Sequence, residues 1–266
     1  MNRKDIKHCY PELIYHKEHK TIHPNQWHLK KTTVRHEVEV DASANVENAH
    51  KITLGKGTII AVIDDGFDMG HPEFSREGKI VHPCNLSGVN TDDDPTPGKY
   101  DTHGTPCAGV ACADGRYGAS GVAPEANLMP IRQAGGLGSL DEALAFVWAT
   151  DNGADVISCS WGPKGSANSD DPRHDVVAAL PALTRMAIDY AIDKGRKGKG
   201  CVVLLQAVTT MNLSKKMVTP ATNRLLLLLL VMTEVSVPFT AITVNHFGAL
   251  FPVTTLKTPY SSTQRL

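Results

Sequence analysis

Short apolar runs alternate with longer amphipathic segments between residues 58 and 205. Four of these runs consist mainly of β-branched and other apolar residues: TIIAVI (58–63), ANLMPI (126–131), DVISCS (155–160) and CVVLL (201–205). Continuous apolar runs of this length are typical of strands that are buried on both faces of a parallel sheet. We therefore expect an α/β fold in which helices flank a parallel sheet through right-handed crossovers.

Three segments between these runs have the patterns of helices. Residues 103–113 are rich in small side chains and can form a closely packed helix. In the segment 139–152, Ser139 and Glu142 have the spacing of a capping box at the start of an apolar stripe. Residues 175–194 end in basic side chains, which the helix dipole favours at that end. In such folds the chemistry collects at the carboxyl ends of the strands.

Polar residues at the end of the first strand are the main candidates for chemistry. Asp64 and Asp65 directly follow this strand, and His103 stands at the start of a predicted helix. The helix dipole disfavours a positive charge at that position, so the histidine needs another explanation. A carboxylate that fixes one imidazole tautomer would supply it, and the pair would be the base half of a nucleophile-activating triad.

Four ordered blocks of the sequence resemble the subtilisin/kexin serine proteases: IIAVIDDGFDMGHPEF (59–74), HGTPCAGVACA (103–113), GVAPEANLMPIR (121–132) and ISCSWGP (157–163). QWHL (26–29) is also similar to the start of that family's catalytic domain. The resemblance covers about residues 11–205 and is closer to the kexin branch than to the bacterial subtilisins. It implies a subtilisin-like parallel sheet flanked by helices, and a serine endopeptidase that acts on peptide or protein substrates.

The resemblance implies roles for individual residues. Asp64 would orient the imidazole of His103, and His103 would act as the general base. The strand of Ser160, Trp161 and Gly162 would pair with the extended backbone of a substrate. Main-chain hydrogen bonds of this kind can bind any peptide, while side-chain pockets add preference.

The resemblance implies less about substrate specificity and metal binding than about the catalytic residues. Asp65 matches the kexin position that favours a basic residue near the scissile bond, but Lys164 and Gly165 stand where kexins have acidic residues. Members of the family often bind structural calcium, whose ligands cannot be placed in this sequence, and no other cofactor is implied. A zinc site among the histidines of the first fifty residues is weighed against scattered surface histidines, because their spacing is irregular and no cysteine pair accompanies them. We predict no metal ligands among the site residues.

The resemblance stops near Leu204. The sequence contains no Gly-Thr-Ser motif for the nucleophile and no Gly-Asn motif for the oxyanion hydrogen bond. Codons that are compatible with the sequence from Leu205 onward can be chosen freely. If one base is then restored and another frame is read, they can encode the family-like blocks FASGN, VIAVAA and YSDYG. We therefore predict a polar N-terminal extension (1–25), a partial peptidase domain that is truncated after about its fourth strand (26–205), and an out-of-frame tail (206–266).

Without the serine, this chain alone is expected to be inactive. One alternative is a catalytically dead pseudoprotease that binds peptides and does not cleave them. A second alternative is a nucleotide-binding α/β protein that uses GGLGSL (135–140), although this run lacks the spacing of the known phosphate-binding motifs.

Composition limits the partners and the compartment. Among 266 residues, 27 Lys and Arg nearly cancel 28 Asp and Glu, which argues against a nucleic-acid partner. The longest apolar run, 225–232, is far shorter than the ~18–20 residues of a membrane span, and the first twenty residues lack the apolar core of a signal peptide. Six cysteines without a CxxC pair indicate reduced thiols. We expect no membrane partner and, by default, a cytoplasmic location.

Overall fold

A computed structural model of the protein describes residues 22–34, 38–40, 43–87, 92–133, 135–162, 180–206 and 226–228. The predictions for residues 1–21, for Lys164 and Gly165, and for most of the tail after Gln206 lie outside the described residues. A small antiparallel pair, β1 (Thr32–Val34) and β2 (Val38–Val40), and the short helix α1 (Val46–His50) precede the main sheet.

The main sheet has six parallel strands. In chain order they are β3 (Ile59–Asp64), β4 (Cys84–Asn85), β5 (Asn127–Arg132), β6 (Val156–Cys159), β7 (Val202–Gln206) and β8 (Leu226–Leu228). Their spatial order is β4-β5-β3-β6-β7-β8, so β3 lies inside the sheet with β5 and β6 as its neighbours. The α/β class and the four predicted strands are confirmed. The sequence did not predict the short β4, or β8, which pairs with β7.

Three longer helices flank this sheet: α2 (Gly104–Cys112), α3 (Leu140–Asp151) and α4 (Ala182–Gly198). The hydroxyl of Ser139 caps α3 by accepting a hydrogen bond from the Glu142 N–H, as the sequence predicts. The predicted third helix starts at Ala182 among the described residues, and its backbone leaves helical geometry at Gly195, where a kink begins. None of the described helices is long and apolar enough to cross a membrane.

The side chains of β3 pack against helices on both faces of the sheet. Ala61 and Ile63 belong to a buried cluster that includes residues of α3 and α4. Ile60 and Val62 point to the other face and pack in a cluster with Ala108 and Cys112 of α2. Because β3 is buried on both sides, the position of the residue at its carboxyl end is closely fixed.

Candidate active site

The carboxyl end of β3 brings Asp64 against His103, the residue that precedes α2. The Nδ1 atom of His103 lies 2.9 Å from Oδ1 and 3.1 Å from Oδ2 of Asp64. An ionised carboxylate can only accept hydrogen bonds, so in the neutral imidazole this contact places the proton on Nδ1 and leaves Nε2 as an acceptor. Asp64 is buried, whereas 55% of the His103 side chain is exposed. The acceptor nitrogen Nε2 therefore belongs to a partly exposed imidazole, which is held in place by a buried carboxylate.

Asp65 binds the start of the same helix through its carboxylate. Its two oxygens accept hydrogen bonds from the backbone N–H groups of Thr102 at 3.0 Å, His103 at 3.1 Å and Gly104 at 2.7 Å. The first N–H groups of a helix have no partner within the helix, and a negative charge there also interacts well with the dipole. Asp64 thus holds the side chain of His103, while Asp65 holds its backbone.

Two glycines permit close contacts at the end of β3. A Cβ atom on Gly104 would lie 2.4 Å from the carbonyl oxygen of Gly66 and 3.0 Å from the Cβ of Asp64. Gly66 has a φ of 155° and touches Pro97, whose Cα would lie 2.5 Å from an added Cβ. A side chain on Gly104 would separate the helix from the strand end, so this glycine is needed for the Asp64–His103 contact, whereas a side chain on Gly66 would displace the loop at Pro97.

A cleft of about 430 Å³ opens beside the two residues. It is lined by Asp64, Asp65, His103, Gln133, Gly135, Gly136, Leu137, Glu142, Trp161 and Gly162. Five of the six predicted site residues are therefore brought to one cleft, and the sixth, Ser160, directly precedes Trp161 in the chain.

The predicted substrate strand lies at the carboxyl end of β6, which is next to β3. The indole Nε1 of Trp161 donates a hydrogen bond to the carbonyl oxygen of Ile63 at 2.7 Å, which fixes the segment against β3. Gly162 is the last residue described in this segment and presents no side chain to the cleft. The pairing of Ser160, Trp161 and Gly162 with a substrate backbone stays a prediction, as does the substrate contact of Asp65.

Another wall of the cleft consists of residues that the sequence analysis did not assign to a protease site. Gln133 follows β5, and the glycine-rich segment 135–137 follows it. The rule that strand ends gather at one edge could have found this wall, because β5 is a parallel neighbour of β3. The N–H of Gly138 donates to the carboxylate of Glu142, a buried residue whose pKa is raised by burial. The N–H of Gly138 is thus already bound by a side chain, and GGLGSL (135–140) lacks the spacing of the known phosphate-binding motifs, which together disfavour the nucleotide-binding alternative.

Cys107 also lies next to the imidazole, one helical turn after His103. Its Sγ atom is 3.6 Å from Nδ1 and 3.7 Å from Nε2 of His103. Burial raises the pKa of the Cys107 thiol to about 11, with a smaller contribution from the charge of Asp64. The thiolate is the nucleophilic form of cysteine, so the neutral thiol of Cys107 is a poor nucleophile. In the described ranges no serine hydroxyl is hydrogen-bonded to Nε2 of His103.

The described residues do not provide a calcium site made of clustered carboxylates. Calcium binds six to eight oxygen ligands, usually including several carboxylates. The buried carboxylates of Glu73 and Asp114 are already engaged, Glu73 by three backbone N–H groups and Asp114 by arginine side chains. Within the part of the chain that the structure describes, the one close group of three acidic, His or Cys ligands is formed by Asp64, His103 and Cys107. The histidines described before residue 51 form no such group.

The chain is similar in sequence to known proteases. Residues 55–248 match the model of the subtilase family. A calcium-dependent protease of Trichormus variabilis is 53% identical over 209 residues, which are 78% of this chain and 31% of that protein. The human proprotein convertase subtilisin/kexin type 6 is 30% identical over 72% of this chain and 19% of its own length.

A solved structure shares the fold. The serine protease of Aeromonas sobria, determined in complex with a chaperone, matches with a TM-score of 0.51 and 21% identity over 68% of this chain and 30% of that chain. The chain spans less than a third of the length of each of these relatives.

Proposed function

This chain belongs to the subtilase family, and we propose that Asp64 and His103 are the orienting acid and the general base of a Ser-His-Asp triad in a serine endopeptidase. The observation that carries the proposal is the contact of 2.9 Å between His103 Nδ1 and Asp64 Oδ1. This contact assigns the proton to Nδ1, and Nε2 is then free to take a proton from a nucleophilic hydroxyl.

His103 and Asp64 would have different roles during acyl transfer. Nε2 of His103 would remove the proton of an attacking serine and later give it to the leaving amine. The buried carboxylate of Asp64 would stabilise the positive imidazolium between these steps, because it lies within hydrogen-bonding distance and is screened little by water. The hydrogen bonds from the backbone at the start of α2 to the Asp65 carboxylate would keep the imidazole in this position.

A peptide or protein substrate would lie extended in the cleft. The segment of Ser160, Trp161 and Gly162 would offer main-chain hydrogen bonds on one side, and the glycines of 135–136 would leave room for backbone on the other. Asp65 lies in the same cleft, and its negative charge would favour a basic residue near the scissile bond. The named relatives are proteases, which supports this substrate class.

We also propose that this chain alone has no proteolytic activity, since its sequence lacks the Gly-Thr-Ser nucleophile motif. Loss of the serine from an enzyme of this kind lowers kcat by about 2 × 10⁶. In the proposal, residues 26–205 are the partial peptidase domain and residues 206–266 come from another reading frame.

The test compares the 266-residue chain with a version in which one base is restored near codon 205. The 266-residue chain should not cleave a broad fluorogenic peptide library. The restored version should cleave it, and Asp64→Ala or His103→Ala should abolish the cleavage, while Glu77→Ala, a change of an exposed carboxylate, should not. If the 266-residue chain cleaves the library and His103→Ala abolishes that cleavage, the proposed inactivity is refuted. A restored chain that folds and remains inactive would refute the triad.

One observation favours a second candidate, a peptide-binding pseudoprotease. The cleft is built from described residues alone and needs no nucleophile in order to exist. This candidate predicts a folded chain, by circular dichroism, that binds extended peptides without turnover. Trp161→Ala should weaken the binding in that case.

A further inference from the structure

We propose that Arg132 is a positioning residue for the general base, because its guanidinium joins the turn after β3 to the segment that leads into His103. The Nε–H of Arg132 donates a hydrogen bond to the carbonyl oxygen of Asp65 at 2.9 Å. An Nη2–H of the same side chain donates to Oδ2 of Asp101 at 2.7 Å. The effect on catalysis rests on the proposed function of His103, whereas the effect on the geometry of His103 does not.

Arg132 is itself fixed by the sheet. It is the last residue of β5, and the register of the parallel pair places it beside Asp64 of β3. The Arg132 side chain is 19% exposed and the Asp101 side chain 23%. Water therefore screens this ion pair less than it would screen a pair on the open surface. A planar guanidinium can donate in fixed directions to two acceptors on different segments, for which the ammonium of lysine has no matching geometry.

Asp101, the second partner, lies two residues before His103 at the end of a loop. Its Oδ2 atom also accepts a hydrogen bond from the N–H of Gly98 at 2.8 Å, and its own N–H donates to the Gly98 carbonyl oxygen at 3.1 Å. The hydrogen bond from Arg132, followed by that from Gly98, lowers the pKa of Asp101. The carboxylate is therefore ionised at neutral pH and joins the loop end to the guanidinium.

The same loop contacts the turn after β3 at two further points. The N–H of Phe67 donates to the carbonyl oxygen of Pro95 at 2.9 Å. Pro97 lies so close to Gly66 that a Cβ atom there would be 2.5 Å from the proline Cα. The loop and the turn are thus in contact over several residues, and the Arg132 side chain closes the end of this contact that is nearest to His103 in the chain.

Asp65 extends the connection from Arg132 to the helix. Its carbonyl oxygen accepts the guanidinium hydrogen bond, while its carboxylate accepts the backbone N–H groups at the start of α2. Neither Arg132 nor Asp101 is among the described residues that line the cleft, so their effect on a substrate would be indirect. Loss of the guanidinium should loosen the segment that carries His103 without removing the carboxylate of Asp64.

The first test measures the tautomer of His103 in the 266-residue chain by ¹⁵N nuclear magnetic resonance, at a pH where the imidazole is neutral. Arg132→Ala and Asp101→Ala should each add a population that is protonated on Nε2. Because the two residues act through one contact, the double variant should add no more than Arg132→Ala alone. Arg196→Ala is the matched control, since it breaks another arginine–aspartate pair, 3.0 Å long, with Asp155, and should leave the tautomer unchanged.

Circular dichroism verifies folding of each variant. A folded Arg132→Ala in which His103 keeps the native tautomer would overturn the proposal. If Arg132→Ala does not fold, Asp101→Ala decides the question, because it changes a loop residue and leaves the sheet intact. A native tautomer in that variant would overturn the proposal as well.

The second test separates this role from the proposed function. In the frame-restored chain, Arg132→Ala should lower kcat by about 10- to 100-fold and change KM by less than about twofold, since a displacement of about 1 Å at a catalytic group can cost about 100-fold. Arg132→Lys should recover part of this loss, and Arg196→Ala should leave kcat unchanged. A loss seen in KM alone, or an equal loss of kcat in Arg196→Ala, would overturn the catalytic effect. A restored chain without activity would refute the triad, and the tautomer would still decide whether Arg132 positions His103.

Discussion

The Nδ1 atom of His103 lies 2.9 Å from Oδ1 of Asp64, although 39 positions separate the two residues in the sequence. Two neighbouring carboxylates make this contact specific: Asp64 binds the imidazole, and Asp65 binds the backbone of the same histidine. The position of the His103 imidazole therefore depends on the end of one buried strand and on the capping of one helix.

Removal of the Asp65 carboxylate should destabilise the protein. Asp65→Ala leaves the N–H groups of Thr102, His103 and Gly104 without their acceptor, and loss of a helix cap costs about 0.5–2 kcal/mol. Urea unfolding should show this loss, with a smaller effect for Asp65→Asn, which keeps one acceptor oxygen. Glu77→Ala removes an exposed carboxylate and should change the free energy of unfolding by less than about 0.5 kcal/mol. Equal effects of Asp65→Ala and Glu77→Ala would contradict the capping role.

The stability of the protein should carry a pH dependence from Glu142. Burial raises the pKa of this carboxyl group above its ordinary value of 4.5, so the folded state binds the proton more tightly than the unfolded state. The contribution of protonated Glu142 to the free energy of unfolding is then fully present below pH 4.5. It is lost as the pH rises through the folded-state pKa. Glu142→Gln stays neutral and can still accept the hydrogen bond from Gly138. Its free energy of unfolding should improve relative to the native chain as the pH rises, and a difference that is constant with pH would disprove this.

Alkylation should report the environment of Cys107. Because burial raises the pKa of this thiol to about 11, its thiolate fraction and its rate of reaction with iodoacetamide should rise about tenfold per pH unit from neutral pH toward pH 10. Mass spectrometry of the labelled peptide measures the rate at this residue, while the buried cysteines of the described part should react only on unfolding. A rate that levels off near pH 8.5, the value for an ordinary cysteine, would argue against the raised pKa.

The sequence predicted the interior strands of the sheet well, because burial on both faces leaves a continuous apolar run. Proline is unusual inside a strand because it has no N–H to donate, and the register explains why β5 tolerates Pro130. The N–H of Leu128 donates to Lys79 on the side of β5 that faces β4. Pro130 faces the same side, where β4 pairs only from Ile131 onward, so its missing N–H removes no bond of the sheet. A strand of two residues such as β4 has no sequence pattern of its own, since its neighbour defines it, whereas β8 lies in the apolar run 225–232, which the sequence analysis did not assign to the sheet.

The sequence predicted the parts of the candidate site in which a chemically suitable residue type stands at the end of a predicted strand or the start of a predicted helix. Asp64 and His103 could be paired from the rule for strand ends together with the family resemblance. The backbone contacts of Asp65 could not, because no sequence pattern states which N–H groups will face a carboxylate. The position of Cys107 against the imidazole likewise depends on how α2 packs on β3. The wall formed by residues 135–137 carried a visible glycine signal, but glycines indicate close approach of backbone without identifying the ligand.

The most direct test of the account is nuclear magnetic resonance of the chain labelled with ¹⁵N-histidine, with the signal of His103 assigned by its loss in His103→Ala. We predict that neutral His103 carries its proton on Nδ1, and that Asp64→Asn shifts it to the tautomer protonated on Nε2. A His103 that is protonated on Nε2 in the native chain, and unaffected by Asp64→Asn, would contradict the pairing on which the proposed catalytic role depends.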